Sequence, residues 1–107
     1  MDRIIQYRDI VAAYLREQAA IPYPSTVNLT SVAVIDREND NYLLLTIGSD
    51  KTGRIHSTDI HLAIEQAKVR LLVAETDWEI LKYLAERGID RADLVDATQT
   101  PEPTLSR

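Results

Sequence analysis

At 107 residues the chain is long enough for one domain, which at this size buries roughly two thirds of the surface its unfolded form exposes, and too short for two cores. Seventeen acidic residues outweigh 12 Lys and Arg, and the net charge of −5 opposes direct, unaided binding to DNA or to anionic lipid. No cysteine is present, which excludes disulfides, thiol nucleophiles and thiolate metal ligands.

The opening Met1-Asp2-Arg3-Ile4-Ile5-Gln6 lacks the apolar core of a signal peptide, and no apolar run approaches the roughly 18 residues of a membrane span, so a cytoplasmic protein is expected. From Asp2 to about Ala20, Ile4, Tyr7, Ile10, Val11, Tyr14 and Leu15 recur at helical spacing, with charges filling the remainder. Pro22 and Pro24 end that helix. Its stripe is too short for a coiled coil and is expected to pack on the domain's own sheet.

Four apolar runs of alternating polarity follow. In the first strand Val27, Leu29, Ala33 and Ile35 share one side, and Arg37-Glu38-Asn39-Asp40-Asn41 reads as a polar turn. The second places Leu43, Leu45 and Ile47 on one face, ends at Gly48, and turns through Ser49-Asp50-Lys51-Thr52-Gly53, where Gly53 suits positive φ. A third hairpin is testable by register. Pairing Glu65 with Lys68 across Gln66-Ala67 sets Ile64 against Val69, Leu62 against Leu71 and Ile60 against Val73 on one buried face. Gln66-Ala67 lacks the Asn-Gly chemistry that such a turn prefers.

Thr76-Asp77-Trp78-Glu79 has the spacing of a capping box and predicts a helix start, with Ile80, Leu81, Tyr83 and Leu84 as its buried stripe and Gly88 as its left-handed cap. Asp90 to Asp93 reads as a short helical turn, returning Leu94 and Val95 to the core. The expected fold class is α+β over residues 1–97: an N-terminal helix, a four-stranded antiparallel meander and a C-terminal helix, with the helices on one sheet face. Residues 98–107, with Pro101 and Pro103, read as a mobile tail.

Candidate chemistry is sparse. Ser57, Asp59 and His61 alternate along the third strand in the manner of a nucleophile, an acid and a base. A rise of about 3.3 Å per residue holds Ser57 and His61 roughly 13 Å apart, beyond the reach that a triad needs. His56 and His61 differ by an odd number and are expected on opposite faces, unable to share a metal. Asp36, Glu38 and Asp40 offer oxygen ligands but lack the length and glycine of a calcium loop, so a solvated turn is the reading there. Gly48 to Gly53 has no phosphate-loop pattern and reads as a hairpin turn. Neither a catalytic residue nor a cofactor or metal site is expected.

If Ile60, Leu62 and Ile64 face the helices, the opposite face carries Val32, Val34, Leu44 and Leu72 beside Tyr42, His61 and Arg70, a mixed surface suited to a protein partner or a second copy. Trp78 fits either the edge of the core or an anchor for that partner. The candidate contact residues are therefore Tyr42, Leu44, His61, Arg70, Leu72 and Trp78.

An ordered set of residues carries a family resemblance. Met1-Asp2 with Tyr7-Arg8 and Ile10, the run Asp36 to Leu45, Gly48, Arg54, the run His61 to Val69, Glu75-Thr76-Asp77 and the segment Leu84 to Val95 together resemble the cyanobacterial XisI family, controlling factors for excision of the fdxN element. The likeness spans nearly the whole chain. Ser49, Ala67, Arg70 and Ala74-Glu75 depart from the family's usual tryptophan, glycine, tryptophan and Asp-Gly, which marks a divergent member. What the resemblance implies is an accessory protein without catalytic residue or cofactor, working with a companion XisH-like factor and a separate site-specific recombinase. The different expectation left by charge alone is an acidic inhibitor, of the immunity or antitoxin kind, that masks a basic nuclease-like companion.

Overall fold

The computed structural model describes residues 2–76 and 78–99. Helix α1 spans Arg3–Ala19, and the side chain of Asp2 caps it by accepting the Ile4 N–H at 2.9 Å. Five strands follow, β1 Leu29–Asp36, β2 Asn41–Asp50, β3 Gly53–Glu65, β4 Lys68–Ala74 and β5 Leu94–Asp96, with helix α2 (Ile80–Glu86) and a 3₁₀ turn (Arg91–Asp93) between the last two. The strands lie in the order β1-β2-β3-β4-β5.

The class is α+β, but the sheet is five-stranded and mixed rather than a four-stranded antiparallel meander. Leu94-Val95-Asp96 pairs parallel to β4, with Leu94 opposite Val69 and Val95 opposite Arg70. The connection through α2 makes this possible, because a parallel neighbour needs a crossover where an antiparallel one needs only a hairpin.

Two β-bulges control which side chains face inward. The first places an extra residue, Asp59, in β3, so that Leu45 pairs with Thr58 but Leu44 pairs with Ile60. The second places Leu72 as the extra residue in β4, so that Leu62 pairs with Leu71 but His61 pairs with Val73. The hairpin at Gln66-Ala67 forms with Glu65 opposite Lys68 and Ile64 opposite Val69, but the bulge replaces the expected partner of Ile60, Val73, by Ala74. Gln66 and Ala67 both take positive φ, 52° and 65°, the backbone of a type I′ turn without its usual residues.

The core joins Tyr7, Val11, Tyr14 and Leu15 of α1 and Ile80 and Leu84 of α2 to Tyr42, Leu44, Ile60, Leu62, Ile64, Val69 and Leu71 of the sheet. Tyr42 pairs with Leu62 and Leu44 with Ile60, and directly paired residues share a face, so these side chains form one inner surface beneath the helices. Helix α2 begins at Ile80, later than the capping box predicts. The Thr76 hydroxyl accepts the N–H of Trp78, and Glu79 makes no side-chain cap. Its end is as expected: Gly88 has φ +119°, its N–H reaches Ala85 O and the N–H of Ile89 reaches Leu84 O, the paired bonds of a Schellman cap. The expected tail lies, from residue 100 onward, outside the described residues; before it, Thr98 folds back on Asp96.

Candidate functional site

Several acidic side chains, Asp40 of the acidic turn among them, are engaged in holding the fold together. Asp93 is buried and accepts the Tyr7 hydroxyl at 2.7 Å and the Arg3 guanidinium at 3.1 Å, with Lys68 Nζ 3.8 Å away. The Tyr7 bond, then the two cations, hold its carboxyl below the ordinary aspartate range despite burial. Asp40 is gripped by Arg8 through two bonds and also accepts the Tyr42 hydroxyl at 2.8 Å. Burial and that carboxylate push the Tyr42 phenol up to about 12. At the far end of the helices, Arg87 pairs twice with Glu17, at 2.8 and 2.6 Å, and lies over the Tyr14 ring.

The alternating set Ser57, Asp59 and His61 does not assemble. The bulge turns Asp59 inward, where it accepts the Thr46 hydroxyl and lies 3.5 Å from Ser57 Oγ, while His61 stays on the outer face and donates from Nε2 to Asn41 Oδ1 at 2.9 Å. His56 and His61 share the outer face, contrary to the odd spacing, because the same bulge adds one residue between them. They sit opposite Ile47 and Leu43, four residues apart on β2 and so about 13 Å from each other. Of the acidic turn, Asp36 accepts the N–H groups of Glu38 and Asn39, and Asp40 is taken by Arg8. Among the described residues no group of three or more His, Asp or Glu is placed to hold a metal ion.

The outer face of the sheet is left without a packed partner among the described residues. The register puts Thr30, Val32 and Val34 of β1, Leu43, Leu45 and Ile47 of β2, His56, Thr58 and His61 of β3, and Arg70 and Val73 of β4 on this face, and Leu72, the unpaired bulge residue between them, lies outside the core. None of these apolar residues belongs to the core, and Val34 is 38% exposed. Carboxylates occur only at its margins, with Asp36 in the turn and Glu65 at the hairpin, 3.4 Å from Arg70 Nε. Burial lowers the affinity of His61 for a proton and so favours its neutral form.

Two of the six expected contact residues are on the other side. Tyr42 and Leu44 are 0% and 1% exposed, inside the core, and Leu43, Leu45 and Ile47 take their place on the outer surface. His61 and Arg70 lie on the outer face as read, and Leu72, the bulge residue of β4, lies outside the core. Trp78 precedes α2 rather than sitting in its first turn; it is 45% exposed and outside the core. The outer face is consequently more apolar than the sequence reading made it, and it is the three residues of β2 that were missed.

These features define a class: a small α+β protein whose buried acids serve as internal clamps and whose sheet leaves one apolar face open. The chain belongs to the XisI family, whose model, described as XisI protein, matches residues 1–105. A XisI-like protein from Anabaena variabilis ATCC 29413 superposes with a TM-score of 0.82 at 25% identity, covering 91% of this chain and 88% of that one. The fdxN element excision controlling factor XisI from the same organism superposes with a TM-score of 0.73 at 21% identity, covering 88% of this chain and 85% of that one, and bears on the fold alone. No protein of curated function matches this chain. No helix among the described residues is long and apolar enough to cross a membrane.

Proposed function

We propose that this chain is a non-enzymatic, cytoplasmic regulator of DNA element excision that acts by binding protein, its companion being a XisH-like factor or the recombinase itself. Membership of the XisI family supports the process. The observation that carries the mode of action is the outer face, where Val32, Val34, Leu43, Leu45 and Ile47 share a surface that no described element covers, with Leu72 at the β4 bulge outside the core. His61 and Arg70 give that surface polar contacts at its middle and edge, and Trp78 offers an exposed aromatic anchor outside the sheet.

Charge placement distinguishes this reading from an acidic inhibitor that masks a basic nuclease. A mask of that kind works through opposed charges at the contact, and the net charge of −5 is consistent with it, but the centre of the outer face holds no carboxylate. The test is to capture the product of the adjacent gene with tagged protein, and to express that product alone. Binding lost on Leu45→Glu or Leu72→Glu supports the regulator; toxicity of the companion relieved by this chain through its acidic margins supports the inhibitor instead.

A further inference from the structure

The two edges of the sheet differ. One is β5, three residues long; the other is β1, eight residues with no proline, no bulge and no charge before Asp36. Proteins that keep their sheets to themselves blunt such an edge with lysine, proline or a bulge, and none of these occurs within Leu29–Ile35.

Which backbone groups this edge presents follows from one bond. Ser49 N–H donates to Asn28 O, and pairing alternates along an antiparallel ladder. Asn28, Thr30, Val32, Val34 and Asp36 therefore spend their N–H and C=O groups on β2, while Leu29, Ser31, Ala33 and Ile35 aim theirs away from the sheet. The bond from Ile64 N–H to Asp40 O fixes the opposite parity for β2 against β3 and agrees with this assignment. No hydrogen bond among the described residues engages those four outward backbones.

We propose that this edge takes a second copy of the same strand, antiparallel, about a two-fold axis at Val32. In that register Leu29 faces Ile35 of the second copy, Thr30 faces Val34, Ser31 faces Ala33 and Val32 faces itself. Apolar meets apolar, β-branched meets β-branched and small meets small, with no charge opposed to a like charge. All four outward residues are used, giving about eight backbone hydrogen bonds between the copies. A register moved by one flips every side chain to the wrong face; one moved by two toward the C-terminus sets Thr30 against Asp36 and leaves Leu29 opposite Arg37, and one moved by two the other way sets Leu29 against Ala33 and leaves Ile35 beyond the strand start, opposite Val27. Beside the start of the strand, Ile21, 58% exposed, and Tyr23 line a recess against Leu29, Thr30 and Ser31. Joining the edges places Val32 and Val34 of both copies side by side, so the two outer faces become one continuous apolar surface. This inference goes beyond the proposed function and stands or falls independently of the companion.

The test is sedimentation of the full chain from micromolar to near-millimolar concentration, together with amide hydrogen exchange. The expected mass is twice that of one chain, with Leu29, Ser31, Ala33 and Ile35 amides protected at least tenfold more in the dimer than at dilutions where it dissociates. Ser31→Pro removes an outward N–H without touching the β1/β2 ladder, and Val32→Lys sets two ammonium groups face to face at the axis; each is expected to return the mass to one chain. A wild-type chain that stays at one-chain mass throughout overturns the proposal, even if a companion is later found on the outer face. So does a dimer that survives Val32→Lys with the four odd-numbered amides exchanging freely.

Discussion

Arg8 and Asp40, 32 residues apart, are joined by two parallel N–H···O bonds of 2.8 and 3.0 Å, and the same carboxylate receives the Tyr42 hydroxyl. One acid thereby ties the N-terminal helix, the first β-turn and the second strand together. Planar guanidinium against carboxylate is the strong form of this contact, and the phenol uses a lone pair that would otherwise be stranded under the helix. Asp40→Asn is expected to destabilise the fold by about 2 kcal/mol and Tyr42→Phe by about 1 kcal/mol, read as midpoint shifts in denaturant at unchanged slope. A double mutant close to the sum of the two would mean that the groups act separately.

Stability is expected to fall in acid with a definite sign. Asp40, Asp93, Asp36 and Asp96 all have carboxyl pKa values held below their ordinary range by hydrogen bonds, with Arg8 and Tyr7 the largest causes at the first two. Groups shifted this way contribute stability fully above the unfolded value near 4 and lose it as pH drops through the lower folded values. His61, lowered by burial, adds a smaller loss in the same direction that begins below about pH 6.5. Unfolding midpoints should be flat between about pH 7 and 9, sag slightly near pH 6 and fall steeply below 4; a maximum near pH 4 would contradict this assignment.

Gly48 has no room for a side chain. It has φ +152°, and a Cβ added there would lie 2.0 Å from Asn28 O, the same carbonyl that accepts from Ser49. Gly48→Ala must push β1 and β2 apart at their open end. A loss of about 3 kcal/mol, or failure to fold, is expected by thermal melting.

The hairpin at Gln66-Ala67 works against its residues. With φ at 65° and a Cβ to accommodate, Ala67 carries a left-handed cost that glycine lacks. Ala67→Gly is expected to stabilise by about 0.5 to 1 kcal/mol after the added unfolded-state entropy is counted, measurable by urea denaturation.

The parts of the fold legible in the sequence were those set by local chemistry. Helix α1, the Glu65/Lys68 register, the Gly53 turn and the Gly88 cap all rest on side chains within a few residues of one another. What misled was parity. Tyr42-Leu43-Leu44-Leu45 is apolar at both odd and even positions, so alternation cannot say which side is inside. Counting back from the Asp50/Gly53 hairpin sets Leu43 against Ile60 and buries it; the extra residue at Asp59 moves Leu44 into that place instead. One bulge thus reversed β2, separated Ser57 and Asp59 from His61, and brought His56 and His61 to one face. The fifth strand was hidden for another reason: three residues paired across a crossover leave no periodic signal. The clamp between Tyr7 and Asp93 spans 86 residues and has no local signature at all.

The outer face as a protein-contact surface is tested most directly by titration calorimetry of the purified companion against wild type, Leu45→Glu and Leu72→Glu, with melting curves for all three. Both substitutions lie outside the core, so each variant is expected to melt within a few degrees of wild type while its affinity falls at least tenfold. Folded variants that bind the companion as tightly as wild type would contradict it.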